Sequence, residues 1–157
     1  MAKVSLICTV LNEADNIAEL IEAIMAQSRR PDEIVINDCG SRDGTVAIIE
    51  DYIQRGYPIK LVHGGRSIST GRNNAIRHAQ GPIIVRIDAG LTIDRAYVEQ
   101  LVAPVERGEA DFTVGHAYVE PQSIFEAVSG AMTYIDLPRA QKIVASGEWH
   151  TPGRNGA

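Results

Sequence analysis

Aromatic residues are scarce in this chain, 5% of 157, and no block of basic residues occurs. The formal net charge is −5. A dedicated nucleic-acid binder needs a cationic face to neutralise phosphates, which argues against that class. A nucleotide ligand stays open, because a bound cation and a few arginines neutralise one diphosphate. There are only two cysteines, Cys8 and Cys39, with no CxxC pair and no Cys/His ligand spacing. That disfavours structural zinc, and the pair reads as two reduced, partly buried thiols of a cytoplasmic protein. No apolar run approaches the ~20 residues of a membrane span. Lys3 is followed only by the strand-length run Val4 to Val10, which is no signal pattern. The expected setting is cytoplasmic, with membrane association only through other residues or partners.

Several catalytic templates are missing as well. No GxGxxG follows the first apolar run, so a dinucleotide site is weak. There is no GxxxxGK[ST] phosphate loop, no GxSxG elbow and no HExxH pair.

What is present is alternation. Val4 to Leu11 is a nearly continuous apolar run, the pattern of a strand buried on both faces. Ile17, Leu20, Ile21, Ile24 and Met25 then fall at helical spacing. Glu33 to Asp38 reads as a second strand, Thr45 to about Arg55 as a helix, and Ile59 to His63 as a third strand. Gly64 to Gly71 reads as a polar, glycine-rich loop, followed by a helix through about Ala79. Ile83 to Asp88 is a fourth strand. Asp94 is a candidate cap for a helix over roughly Ala96 to Arg107, Asp111 to Tyr118 reads as a fifth strand, and Ser123 to about Ile135 as a helix. Such alternation predicts an α/β fold: a mostly parallel, doubly wound sheet with helices on both faces. With no repeat and no linker, one domain over 1–157 is expected. A chain of this size buries roughly 70% of its unfolded surface, enough for a real core.

Polar residues gather where the strands end. Thr9, Asn12 and Glu13 follow the first; Asp38, Ser41 and Asp43 the second; Arg66, Arg72 and Asn73 the third; Asp88 the fourth. In a parallel sheet these positions converge on one edge, where ligands bind. Carboxylates and forked guanidiniums in one cleft suit a cation-chelated diphosphate ester. Each residue also has a plainer role. Asp38 can cap the turn into the next helix. Asp43-Gly44-Thr45 reads as an Asx-type turn, and Gly40 supplies a φ other residues resist. Arg72, read at a helix start, opposes the helix dipole, which suits either an anionic ligand or a solvated side chain. Asp88 closes an apolar strand, where a carboxylate is costly unless solvated or liganded. Asp111 and His116 read as ordinary strand residues.

Taken in order, VSLICTVLNEADNI, IVINDCGSRDGT and GRNNAIRHAQGPIIVRIDAG resemble the successive motifs of family 2 glycosyltransferases over about residues 4 to 120. The resemblance implies a GT-A fold, a nucleotide-diphosphate sugar donor, an acceptor of unknown class and a divalent cation, Mg²⁺ or Mn²⁺. It places Thr9, Leu11 and Glu13 at the base and ribose. It makes Asp38, with Gly40 beside it, an acceptor for the base. Arg72 falls near the diphosphate with Arg66 as helper, and Asp88, followed by Ala89, is the first aspartate of the metal motif. Gly90 stands where a second aspartate is usual, so Asp88 would share the cation with the diphosphate and water. Family members continue further, forming the acceptor side and supplying a general base. Glu148 and His150 are the only candidate bases near the end of this chain, and neither is assigned. The expected activity is inverting, metal-assisted glycosyl transfer. The alternative is a donor-binding module without turnover. A nucleotidyltransferase would need a basic, glycine-rich loop after the first strand, where this chain has NEADN.

Overall fold

A computed structural model describes residues 1–115. Met1–Thr113 make one compact unit. The expected single domain over 1–157 extends beyond those residues. In chain order the elements are β1 (Val4–Val10), α1 (Ile17–Met25), β2 (Glu33–Asp38), α2 (Thr45–Gln54), β3 (Ile59–His63), α3 (Ile68–His78), β4 (Ile83–Asp88) and α4 (Tyr97–Glu106).

The four strands form one parallel sheet in the order β3-β2-β1-β4. β1 and β2 lie inside it, and their sequences are apolar on both sides because both faces are covered. One face packs on α1, α2 and α4: Leu6, Cys8, Ile34, Ile36, Val85 and Ile87 meet Ile17, Ile21, Ile24, Ile49, Val98 and Val102. Each fully buried isoleucine there contributes roughly 1.5–3 kcal/mol. The other face packs on α3 through a much smaller cluster of Ile7, Val35, Val62 and Ala75.

The α3 cluster is small because α3 is polar around most of its circumference. Only Gly71 and Ala75 of its eleven residues are buried. Such a helix carries little apolar periodicity, so its pattern does not mark where it starts. It begins at Ile68, not after Gly71. Ser67 and Thr70 form a reciprocal capping box, with the Ser67 hydroxyl accepting the Thr70 N–H. Arg72 therefore lies in the second turn of the helix, past the positive end of its dipole.

Two further differences follow from local bonding. α4 starts at Tyr97, and Asp94 holds the turn before it by accepting the Ala96 N–H at 2.7 Å. The buried Gln27 caps the helix instead: its Oε1 accepts the Val98 N–H at 3.0 Å, and its Nε2 donates to the Asp94 carbonyl at 2.8 Å. Residues 111–115, expected to open a fifth strand, are not in the sheet. There the Thr113 hydroxyl bonds to the Leu101 carbonyl instead. The rest of that strand and the helix expected over Ser123–Ile135 lie outside the described residues.

Candidate functional site

Strand register aligns the four carboxyl ends. Val10 is level with Asp38, Asp38 with His63, and Thr9 with Asp88. The order runs outward from β1 to β2 to β3, then returns to place β4 on the other side of β1. The switch point therefore lies between β1 and β4, where Thr9 and Asp88 are neighbours, and open α/β sheets bind ligands in such a crevice.

Gly71 brings α3 down onto this edge. A Cβ at that position would lie 2.7 Å from Cys39 Sγ, 2.7 Å from Thr9 Cγ2 and 2.8 Å from Asn37 Nδ2. The bare backbone allows the close approach. Two amides then lock it: buried Asn37 donates to the Gly64 carbonyl at 2.8 Å, and Asn74 donates to Asn37 Oδ1 at 2.7 Å and to the His63 carbonyl at 3.2 Å.

The next residue, Arg72, reaches Asp88 across the switch point at 2.9 Å. Arg86 takes the other carboxylate oxygen at 3.2 Å. Two expected site residues thus touch each other, and the second guanidinium on Asp88 had no motif to announce it. Arg66 is exposed in the loop before α3, and its backbone N–H bonds to Thr70 Oγ1. Ala89 is partly buried and packs against the main core, directly after Asp88.

Asp38 is only 4% exposed. Its carboxylate accepts the N–H of Gly40 at 2.9 Å and of Ser41 at 3.1 Å, and lies 3.5 Å from His63 Nδ1. Burial pushes the carboxyl up. The bonds from Ser41, Gly40 and His63 outweigh that and hold it below the usual carboxylate range. The turn role weighed for Asp38 is thus present in the structure. Gly40 completes that turn at φ +104°, where a Cβ would be strained.

The loop after β1 leans on the same turn. Leu11 is 54% exposed beside it. The Glu13 N–H donates to Thr45 Oγ1 at 2.8 Å, and the Ala14 N–H to Asp43 Oδ2 at 3.0 Å. Asp43 also accepts from the Thr45 N–H at 3.1 Å, which makes it the structural residue its Asx pattern suggested. The bond from the Thr45 hydroxyl, first, and then that from the Ala14 N–H hold its carboxyl below the usual range. The Glu13 carbonyl accepts the N–H groups of Asn16 and Ile17 and so opens α1.

Asp88 is half exposed and offers one hard oxygen donor group. Its two oxygens carry cationic partners, Arg72 and Arg86, so a metal ion there would have to displace one of the two guanidiniums. Among the described residues no group of three or more His, Cys, Asp or Glu side chains is placed to hold a metal ion. With one carboxylate available, a cation at Asp88 would take its remaining ligands from phosphate oxygens and water. Glu148 and His150 lie outside the described residues.

The model of the family described as "Glycosyl transferase family 2" matches residues 5–154. The chain belongs to that family. Among curated relatives of this family 2 chain, an uncharacterized glycosyltransferase, EpsJ of Bacillus subtilis, is 28% identical over 121 residues, 76% of this chain and 35% of EpsJ. The lipopolysaccharide core biosynthesis glycosyltransferase LpsC of Rhizobium meliloti is 35% identical over 92 residues, 58% of this chain and 33% of LpsC. The chain thus spans about a third of the length of these relatives. The mannosyltransferase PcManGT from Pyrobaculum calidifontis, solved with GDP-Man and Mn²⁺, superposes with a TM-score of 0.59 at 30% identity, covering 81% of this chain and 38% of that one. S. aureus TarS residues 1–349, solved with UDP, superposes with a TM-score of 0.65 at 22% identity over 78% of this chain and 38% of that one, a likeness of fold. The expected GT-A architecture is therefore present. Among the described residues no helix is long and apolar enough to cross a membrane.

Proposed function

We propose that this chain supplies the donor side of a glycosyl transfer from a nucleotide-diphosphate sugar to an acceptor hydroxyl, with inversion and with help from a divalent cation. The observation that carries the reading is the Arg72–Asp88 contact beside Thr9 at the β1/β4 switch point. It sets a phosphate-binding guanidinium and a cation-binding carboxylate side by side, as a chelated diphosphate requires. PcManGT, with GDP-Man and Mn²⁺ in its solved structure, supports the same ligand class here.

In this reading Thr9, Leu11 and Glu13 line the base and ribose, with the turn at Asp38 and Gly40 opposite. The Asp38 carboxylate acts mainly through that turn, because its oxygens are engaged with backbone N–H groups. Arg72 binds the diphosphate, with Arg66 approaching from the exposed loop. Asp88, preceding Ala89, is the residue that would hold the cation, which when bound neutralises the diphosphate. Arg72 then stabilises the leaving diphosphate as charge develops on it. Inversion also requires a base to take the acceptor proton. Free Cys8 and Cys39 accord with a reducing, cytoplasmic setting. Burial first, then the Asp88 and Glu13 carboxylates, push the Cys8 thiol up to about 12, so it is inert.

Calorimetric titration with UDP and GDP, each with and without Mn²⁺, tests the proposal. Binding of one nucleotide, tightened by Mn²⁺, is expected. Binding of neither nucleotide would refute the donor-site assignment.

A further inference from the structure

The tight coupling of the loop after β1 to the turn after β2 has a centre, and it is a residue outside the donor assignments. Asn12 has φ +56°, the one positive φ outside glycine among the described residues. Asparagine tolerates this left-handed conformation better than other side chains with a Cβ. Its bonds are reciprocal. The Asn12 N–H donates to Ser41 Oγ at 2.9 Å, and Asn12 Oδ1 accepts the Arg42 N–H at 2.9 Å. The two bonds close a ring between segments about 30 residues apart. Around it, the N–H groups of Glu13 and Ala14 bond to Thr45 and Asp43, and the Cys39 N–H donates to the Val10 carbonyl at 3.0 Å.

This arrangement leaves Leu11, a large apolar side chain, facing solvent next to the turn that Asp38 holds. Little packing from the core fixes Leu11 there. Its position depends on the backbone of the next residue, and that backbone is fixed by the Asn12 ring.

We infer that Asn12 is a positioning residue for donor binding: its left-handed backbone and its bond to the Arg42 N–H hold Leu11 and the Gly40–Arg42 turn at the separation that admits the nucleoside. The inference rests on the donor-site reading above. Asn12 touches neither the diphosphate nor a reacting atom. It acts through Leu11 and the turn.

The test compares the wild-type chain with Asn12→Ala, Asn12→Gly and Asn12→Asp. Calorimetry gives the Kd for UDP and GDP, well below the melting temperature of every variant, and thermal melts run in parallel. Asn12→Ala loses both the backbone tolerance and the acceptor, and weakens binding of the preferred nucleotide about tenfold. Asn12→Gly keeps the φ and loses only the acceptor, so its affinity falls between wild type and Asn12→Ala. Asn12→Asp keeps both features and binds within about threefold of wild type. A purely structural role would move the melting temperature and leave Kd alone. Unchanged Kd in Asn12→Ala overturns the inference, as does equal loss in all three variants. If the wild-type chain itself binds neither nucleotide, the donor-site reading falls and takes this inference with it.

Discussion

Gly71→Ala is the most direct perturbation of the site's scaffold. The new methyl would meet Cys39 Sγ, Thr9 Cγ2 and Asn37 Nδ2, all within 2.8 Å. These atoms belong to β1, to β2 or to the residue directly after β2, so none is the free end of a long side chain. Overpacking of this kind costs about 1–3 kcal/mol, and three simultaneous overlaps place it toward the upper end. Alanine recovers about 1 kcal/mol of helix propensity, because Gly71 lies inside α3. The net loss is about 2 kcal/mol. For a chain of this size that lowers Tm by roughly 4–8 °C. The shift should also carry Arg72, the next residue, away from Asp88. Diphosphate nucleotides then lose affinity while nucleosides do not. A double-mutant cycle with Cys39→Ala sharpens the test: removing Sγ relieves one of the three overlaps, so Gly71→Ala costs less in that background. A Gly71→Ala chain as stable as wild type, or additive effects of the two substitutions, would refute the close-approach argument.

The other expectations are independent of it. Arg72→Ala should weaken UDP or GDP by at least about tenfold and barely change uridine or guanosine; equal losses for both would make Arg72 a structural partner of Asp88 only. Asp88→Asn should reduce the gain in nucleotide affinity that Mn²⁺ confers, and an undiminished Mn²⁺ effect by calorimetry would remove Asp88 as a ligand. Glu106 accepts two bonds from Arg29 and one from the Ala2 N–H. The Arg29 guanidinium, first among these, holds its carboxyl at about 2, below the ordinary 4.5. This stability is fully present above pH 4.5 and is lost as pH falls toward 2. Acid unfolding of Glu106→Gln should therefore be flatter over that window, and an unchanged acid limb would show that the pair contributes nothing.

Much of the fold is legible in the chain because its signals are local. The bounds of β2 and β3 follow from short apolar runs that end in Asp38 and His63. α1 follows from apolar residues recurring at Ile17, Leu20, Ile21 and Ile24, all buried as the period requires. α3 escaped that logic. Its buried face is one glycine and one alanine, so the informative signal was the Ser67–Thr70 cap and not periodicity. The site divides in the same way. Strand-end position was enough to single out Thr9, Asp38, Arg72 and Asp88. Asn37 and Asn74 carry no such mark, because their roles are contacts with residues far away in the chain; Asn12 shares the strand-end position but its partners lie in the distant turn, and Arg86, two residues before Asp88, matches no motif.

The order of elements from β1 to α4, the parallel sheet and the edge at which polar residues gather are all readable from the residues alone. Hydrophobic period and strand-end chemistry are written within a few residues of each other, and so survive without the fold. The pairing of β4 with β1, which makes a switch point of Thr9 and Asp88, comes from the packed fold. The same packing sets Arg72 on Asp88, brings α3 close at Gly71, and closes Asn12 on the turn at Ser41 and Arg42. These contacts join residues from 16 apart, Arg72 and Asp88, to 62 apart, Gly71 and Thr9. Their geometry depends on which strands are neighbours, and strand order is a property of the packed sheet and not of any one stretch of chain.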